Sequence, residues 1–124
     1  VVSLNTEELN KKLESRFCEG CWPFCDIEDG WADLVSELDD KISALDPGYT
    51  LAQVKEKYGS LRYYTLLIKS DVADTIFSLI DEYEEKSLHV CEICGEEGSL
   101  KEKNKWFKTL CDKHYDMWLR NKRW

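Results

Sequence analysis

The sequence has no run near the roughly 20 apolar residues that a membrane-spanning helix needs. Its first residues, Val-Val-Ser-Leu-Asn-Thr-Glu-Glu, do not form the basic, apolar and small-residue series of a secretory signal. Together these absences predict a cytoplasmic protein with no membrane partner. Histidine is scarce, with His89 and His114 the only two in 124 residues. There is no nucleophile elbow, no phosphate-binding loop and no dinucleotide fingerprint. With His114 assigned to a metal below, His89 alone would be left for a catalytic triad. The inventory leans against an enzyme. Internal repeats and low-complexity segments are also missing, which excludes a solenoid or a disordered tail.

What remains is enough for one modest core. A chain of 124 residues with five Trp, six Tyr and four Phe is one small domain, or one with an even smaller appendage, and buries about two-thirds of its unfolded surface. The net charge of −8 is unevenly spread. From Leu100 to Trp124 there are eight bases against three acids, a local +5, which leaves nine bases against 22 acids, or −13, in the first 99 residues. Such a body repels a phosphate backbone, while the basic quarter attracts one or complements the body within the molecule. This asymmetry suggests an acidic body over residues 1–87 and a basic module over 88–124.

Asn5 with Glu8 reads as a helix start, followed by apolar Leu9, Leu13 and Phe17. Cys18 to Gly30 reads as a loop. Asp29 caps a second helix whose apolar face is Trp31, Leu34, Val35, Leu38, Ile42 and Leu45, and Asp46-Pro47-Gly48 stops it. Leu51–Tyr58 and Leu61–Ile68 read as a β-hairpin with Gly59-Ser60 as its turn. Ser70 or Asp71 then caps a helix running to about Lys86, with Val72, Ile76, Leu79, Ile80 and Tyr83 on its buried stripe.

The strongest chemical signal follows. Cys91-Glu92-Ile93-Cys94-Gly95 places two thiolates two residues apart on a turn that Gly95 permits, and Cys111-Asp112-Lys113-His114 repeats the interval. In a reducing compartment these are metal ligands before they are disulfides. A short hairpin around Asn104 separates the pairs, and a helix through Tyr115, Trp118 and Leu119 follows. Knuckle, hairpin and helix in that order make a treble-clef-like zinc finger. Three sulfurs and one imidazole close a tetrahedron around one structural Zn2+, with no vertex left for water. His89 is the alternative fourth ligand. It reads better as a strand-edge residue.

Cys18, Cys21 and Cys25 are three thiols short of one ligand. A second zinc, completed by His89, Asp26 or Glu28, and a redox dithiol at Cys18 and Cys21 are both set below semi-buried cysteines packed with Trp22 and Phe24. Lys55, Lys57 and Arg62, with Tyr58, Tyr63 and Tyr64, gather near the first hairpin turn. They form a candidate ligand- or partner-binding group that can hold a phosphate and stack a base. Ordinary hairpin packing with charge pairing to acids such as Glu56 is the plainer account.

Several of these segments together resemble a known family. Asp29-Gly30-Trp31, the stretch Gln53-Val54-Lys55-Glu56-Lys57-Tyr58-Gly59-Ser60-Leu61-Arg62-Tyr63-Tyr64, Cys91-Glu92-Ile93-Cys94-Gly95 and Thr109-Leu110-Cys111-Asp112-Lys113-His114 occur in an order similar to that of small phage and bacterial proteins often carried on mobile elements. The family has no established activity, so no catalytic residue is implied. The resemblance implies a phage setting, action in a host cytoplasm and a role in modulating or inhibiting a host defence system.

The sequence therefore predicts an α+β fold, with helices packed on a small antiparallel hairpin and a C-terminal zinc finger. The first expectation is a zinc-stabilised interaction protein that binds a host protein or a small nucleotide ligand. The alternative is a nucleic-acid binder using the basic C-terminal module, with Lys105, Lys108, Arg120, Lys122 and Arg123 on phosphates and Trp106 or Trp124 stacking. A metal-dependent nuclease ranks third, because it needs a second, open metal site.

Overall fold

The computed structural model describes residues 3–120, so Lys122, Arg123 and Trp124 lie outside the described residues. The fold is α+β. Helix α1 (Thr6–Leu13) begins with the expected capping box: Asn5 Oδ1 accepts from the Glu8 N–H at 2.8 Å, and Glu8 Oε1 accepts from the Asn5 N–H at 3.2 Å. It buries Leu9 and Leu13. Phe17 does not continue that stripe. A 3-10 turn over Glu14–Arg16 ends the helix, and Phe17 becomes extended to bridge Leu51.

Helix α2 (Ala32–Leu45) follows a 3-10 turn at Asp29–Trp31, and Asp29 does not cap it. Its carboxylate instead accepts from the Thr6 N–H at 2.9 Å, while Asp33 accepts from the Leu4 N–H at 2.8 Å. Both acids serve the entry to α1, where helical N–H groups have no partner of their own.

The segment expected to be loop contains strand β1 (Cys25–Asp26), which pairs parallel with β2 (Leu51–Lys57). Strand β3 (Ser60–Thr65) pairs antiparallel with β2 and stops short of Ile68. The register Lys57↔Ser60 makes Tyr58-Gly59 the turn, one residue earlier than expected, with φ of 54° and 79°. A two-residue turn with both centres left-handed matches the twist of the strands it joins. Gly59 tolerates that conformation, and Thr109 Oγ1 of the C-terminal module donates to its carbonyl at 2.6 Å.

Helix α3 (Ala73–Ser87) starts after Val72, without the side-chain cap expected from Ser70 or Asp71. It covers the open edge of β3: Ser87 Oγ accepts from the Leu61 N–H at 2.9 Å, and Glu84 Oε2 from the Tyr63 N–H at 3.0 Å. Unpaired strand N–H groups are costly when buried and adhesive when exposed, and the helix removes both problems. The main core lies between the helices and the inner sheet face, around Trp31, Leu38, Ile42, Val54, Leu61, Ile76 and Tyr83.

One charge sits inside that core. Asp39 of α2 is fully buried, and Arg16 Nε and Tyr49 OH donate to its carboxylate, with Tyr49 OH in turn 2.5 Å from Tyr63 OH. A buried carboxylate needs such donors.

The C-terminal module follows the expected order. Val90 bridges Glu97, and β4 (Ser99–Lys103) pairs with β5 (Trp106–Leu110) across left-handed Asn104 and Lys105. Helix α4 (Asp112–Arg120) follows directly after Cys111. Its small core is Cys91, Leu110 and Trp118.

Candidate metal centre and adjoining cleft

The knuckle turn presents Cys91 and Cys94, the end of β5 presents Cys111, and the first turn of α4 presents His114. Their ligand atoms all lie within 4.8 Å of one another. Zinc bonds of about 2.3 Å to sulfur and about 2.0 Å to nitrogen, at the tetrahedral angle, separate two sulfurs by about 3.8 Å and a sulfur from a nitrogen by about 3.5 Å. Here Cys94 Sγ is 3.8 Å from Cys111 Sγ, and His114 Nδ1 is 3.6 Å from Cys91 Sγ and 3.2 Å from Cys111 Sγ. The donor set fits one ion, with Nδ1 the His114 atom that faces the sulfurs. Burial pushes the Cys94 thiol up to about 11, whereas backbone donors at His114 and Lys113 and the neighbouring thiols outweigh burial at Cys111 and lower it. A bound cation would remove both protons.

The motifs that looked separate in the sequence converge on this knuckle. Gly30 N–H donates to Glu92 O at 2.8 Å, and the Trp31 indole N–H donates to Val90 O at 2.8 Å. A Cβ on Gly30 would stand 2.1 Å from Cys91 O, so only glycine admits this approach. Glu92, which the sequence reading passed over, is 2% exposed. Its Oε2 accepts from the Thr109 N–H at 2.7 Å, and its own N–H donates to Thr109 O at 2.9 Å. Burial raises its carboxyl to about 7. Thr109 Oγ1 then donates to Gly59 O at 2.6 Å, tying the β2–β3 turn to β5. The signal for Glu92 was its place between the two knuckle cysteines, which keeps it beside the ligand cluster.

Among the described residues no other Cys/His/carboxylate group has this geometry. Cys18 and Cys21 are joined to each other as a disulfide, and Cys25 is buried alone on β1, where burial raises its thiol to about 12. Among the described residues the three sulfurs do not gather into one ligand group, because Cys21 faces Cys18 and Cys25 is buried apart from them. Nor do Trp22 and Phe24 bury these cysteines. They are 63% and 49% exposed and meet each other edge-on at 5.5 Å. His89 is exposed and lies 3.9 Å from Glu85, outside the ligand set.

The candidate binding group at the first hairpin is only partly assembled. Lys55, Lys57, Arg62 and Tyr64 share one sheet face by register, and Tyr58 is at the turn, but they divide between two depressions. Lys55, Lys57 and Tyr58 line a cleft of about 1080 Å³ whose opposite wall comes from the β4–β5 hairpin and α4. Tyr64 lines a shallow depression against Phe77 and Glu84. Arg62 lines neither, and its Nε is buried without a hydrogen-bond partner.

Among the described residues six cations line the large cleft: Lys55, Lys57, Lys103, Lys105, Lys108 and Arg120. Glu56 is its one acid, and that carboxylate accepts from the Gly59 N–H at 2.7 Å. Lys103 is engaged with Trp118 O at 2.6 Å, and Arg120 with Asp116 at 3.3 Å. Among the described residues no carboxylate lies within 4.0 Å of Lys55, Lys57, Lys105 or Lys108. Among the described residues no helix is long and apolar enough to cross a membrane. No family model, no curated protein and no solved structure matches the chain.

Proposed function

We propose that this is a zinc-stapled binding protein whose cleft receives a phosphate-bearing ligand, foremost a nucleic acid. The observation that carries the reading is six cations and one acid around a single concavity in a chain of net charge −8. Cations that merely solubilise a surface are interspersed with acids. Here they converge and four of them lack an ion pair, so a polyanion would gain their full field without displacing a carboxylate. Aromatic Tyr58 and Trp106 on the same walls favour nucleotides over sulfate-like anions.

The knuckle, hairpin and helix form a treble-clef finger around one Zn2+. Cys91, Cys94, Cys111 and His114 fill its coordination sphere, so the ion holds the cleft's second wall and is not the seat of hydrolysis. A host protein, part of the first expectation from the sequence, becomes the second reading, because the cleft's charge favours a polyanion. The family resemblance adds a phage or mobile-element setting, in which such a cleft would intercept nucleic acid or nucleotide used by a host system.

Metal analysis with native mass spectrometry should give one zinc per chain. Labelled oligonucleotides should bind in low salt and lose affinity steeply as salt rises, with a Lys105→Glu/Lys108→Glu double variant weakened about tenfold or more. Absence of binding to any nucleic acid at about 50 mM salt would remove the reading, since that is where the phosphate contribution is strongest.

A further inference from the structure

We propose that the cleft takes single-stranded nucleic acid, DNA or RNA, with one base stacked on Tyr58 and another on Trp106. This deepens the nucleic-acid reading of the cleft and rests on it.

The two rings are 66% and 75% exposed, although each could have been a polar turn residue at no cost to the core. Tyr58 occupies a left-handed turn position, φ 54°, which bulky side chains rarely adopt. An aromatic ring held in such a backbone and left in solvent is an outlier of the kind found at ligand sites. Trp106 follows the other left-handed turn, Asn104-Lys105, so each hairpin tip carries one ring into the same cleft.

The β2–β3 tip is anchored on the middle of the β4–β5 hairpin. Thr109 Oγ1 bonds Gly59 O, and a Cβ on Gly59 would meet Leu100 Cδ1 at 2.5 Å and the Lys108 backbone at 3.3 Å. The two backbones that carry the rings are therefore joined before any ligand arrives, which lowers the ordering cost of binding. Lys57 Nζ lies 5.6 Å from the Tyr58 ring centre, placing a cation where the backbone of a stacked base would run.

A duplex fits this arrangement poorly. Its base faces are consumed in its own stack, so the rings could meet only sugar edges or phosphates. It also carries one charge per roughly 1.7 Å of axis on a stiff rod, which would be laid beside a body of net −13 over the first 99 residues. A flexible single strand enters the basic cleft alone and exposes a π-face at every base.

The test uses the full zinc-loaded chain and fluorescein-labelled mixed-sequence 12-mers, as single-stranded DNA, as single-stranded RNA and as the DNA duplex, followed by anisotropy. Single strands should bind at least tenfold tighter than the duplex. Trp106→Ala and Tyr58→Asn, the latter suited to a left-handed turn, should each weaken single-strand binding about tenfold, well beyond any loss of duplex binding, with zinc content and melting temperature within error. Trp106→Phe should recover most of the loss. Preference for one sugar supports the proposal and names the source. Equal affinity for duplex and single strand, or ring-deleted variants that bind single strands normally, would overturn the stacking proposal and leave the basic cleft standing. Failure of every oligonucleotide to bind would overturn the proposed function itself.

Discussion

Gly30→Ala is the sharpest probe of how the C-terminal module is joined to the body. The position lacks the left-handed backbone that would penalise alanine, so its cost is steric alone. The new Cβ would lie 2.1 Å from Cys91 O and 2.5 Å from Glu92 C, both rigid backbone atoms beside a ligand turn. Overpacking of that kind costs about 1–3 kcal/mol. Separating the surfaces also strains the Gly30 N–H bond to Glu92 O and the Trp31 indole bond to Val90 O, and stranding such buried groups adds about 1–3 kcal/mol. Against this, alanine gains only about 0.4–1 kcal/mol from the unfolded chain. The net loss is about 1–6 kcal/mol, which for a chain of this size lowers Tm by roughly 4–24 °C.

Thermal unfolding followed by circular dichroism, with Gly48→Ala as control, reads this out. At Gly48 the nearest atom to a new Cβ is Asp46 Oδ1 at 4.0 Å, so that variant should melt at or slightly above the parent temperature. A Gly30→Ala protein melting within about 2 °C of the parent, with its metal intact, would show that the knuckle does not rest on this glycine.

Two further outcomes follow from the core. Ser87→Ala leaves the Leu61 N–H without its acceptor at the covered sheet edge, and should cost about 1–3 kcal/mol in urea unfolding with m unchanged; a loss below about 0.3 kcal/mol would mean that α3 does not seal that edge. Cys25, whose thiol burial lifts from 9.0 to about 12, should resist alkylation at pH 8 until the protein unfolds. Because its neutral form is favoured in the folded state, the associated stability is complete below about pH 9 and declines as pH rises towards 12. Cys25→Ala should flatten that decline, and an unchanged slope would contradict the assignment.

Short-range chemistry carried most of what the sequence determined. The ligand set was legible because Cys91-Cys94 and Cys111-His114 are each local pairs whose spacing a single turn enforces, and α1 was legible because Asn5 and Glu8 satisfy each other's backbone within four residues. The α+β character followed from periodicity in the same way. Tertiary contacts decided the rest. β1 is only Cys25–Asp26 and exists by pairing with β2 nearly 30 residues later, which no local pattern could announce. Asp29 looked like a cap for the helix after it, yet the open N–H groups nearest to it in space belong to α1. The hairpin turn shifted to Tyr58-Gly59 because Thr109 and the β4–β5 backbone hold Gly59 from outside.

The cleft shows the same division most clearly. Composition revealed a basic quarter and a basic-aromatic turn as two separate features about 50 residues apart. Folding about the Gly30, Glu92 and Thr109 contacts makes them opposite walls of one concavity. Charge is a property of residues and is counted in sequence. Convergence of charge is a property of distance, and only the packed chain sets it.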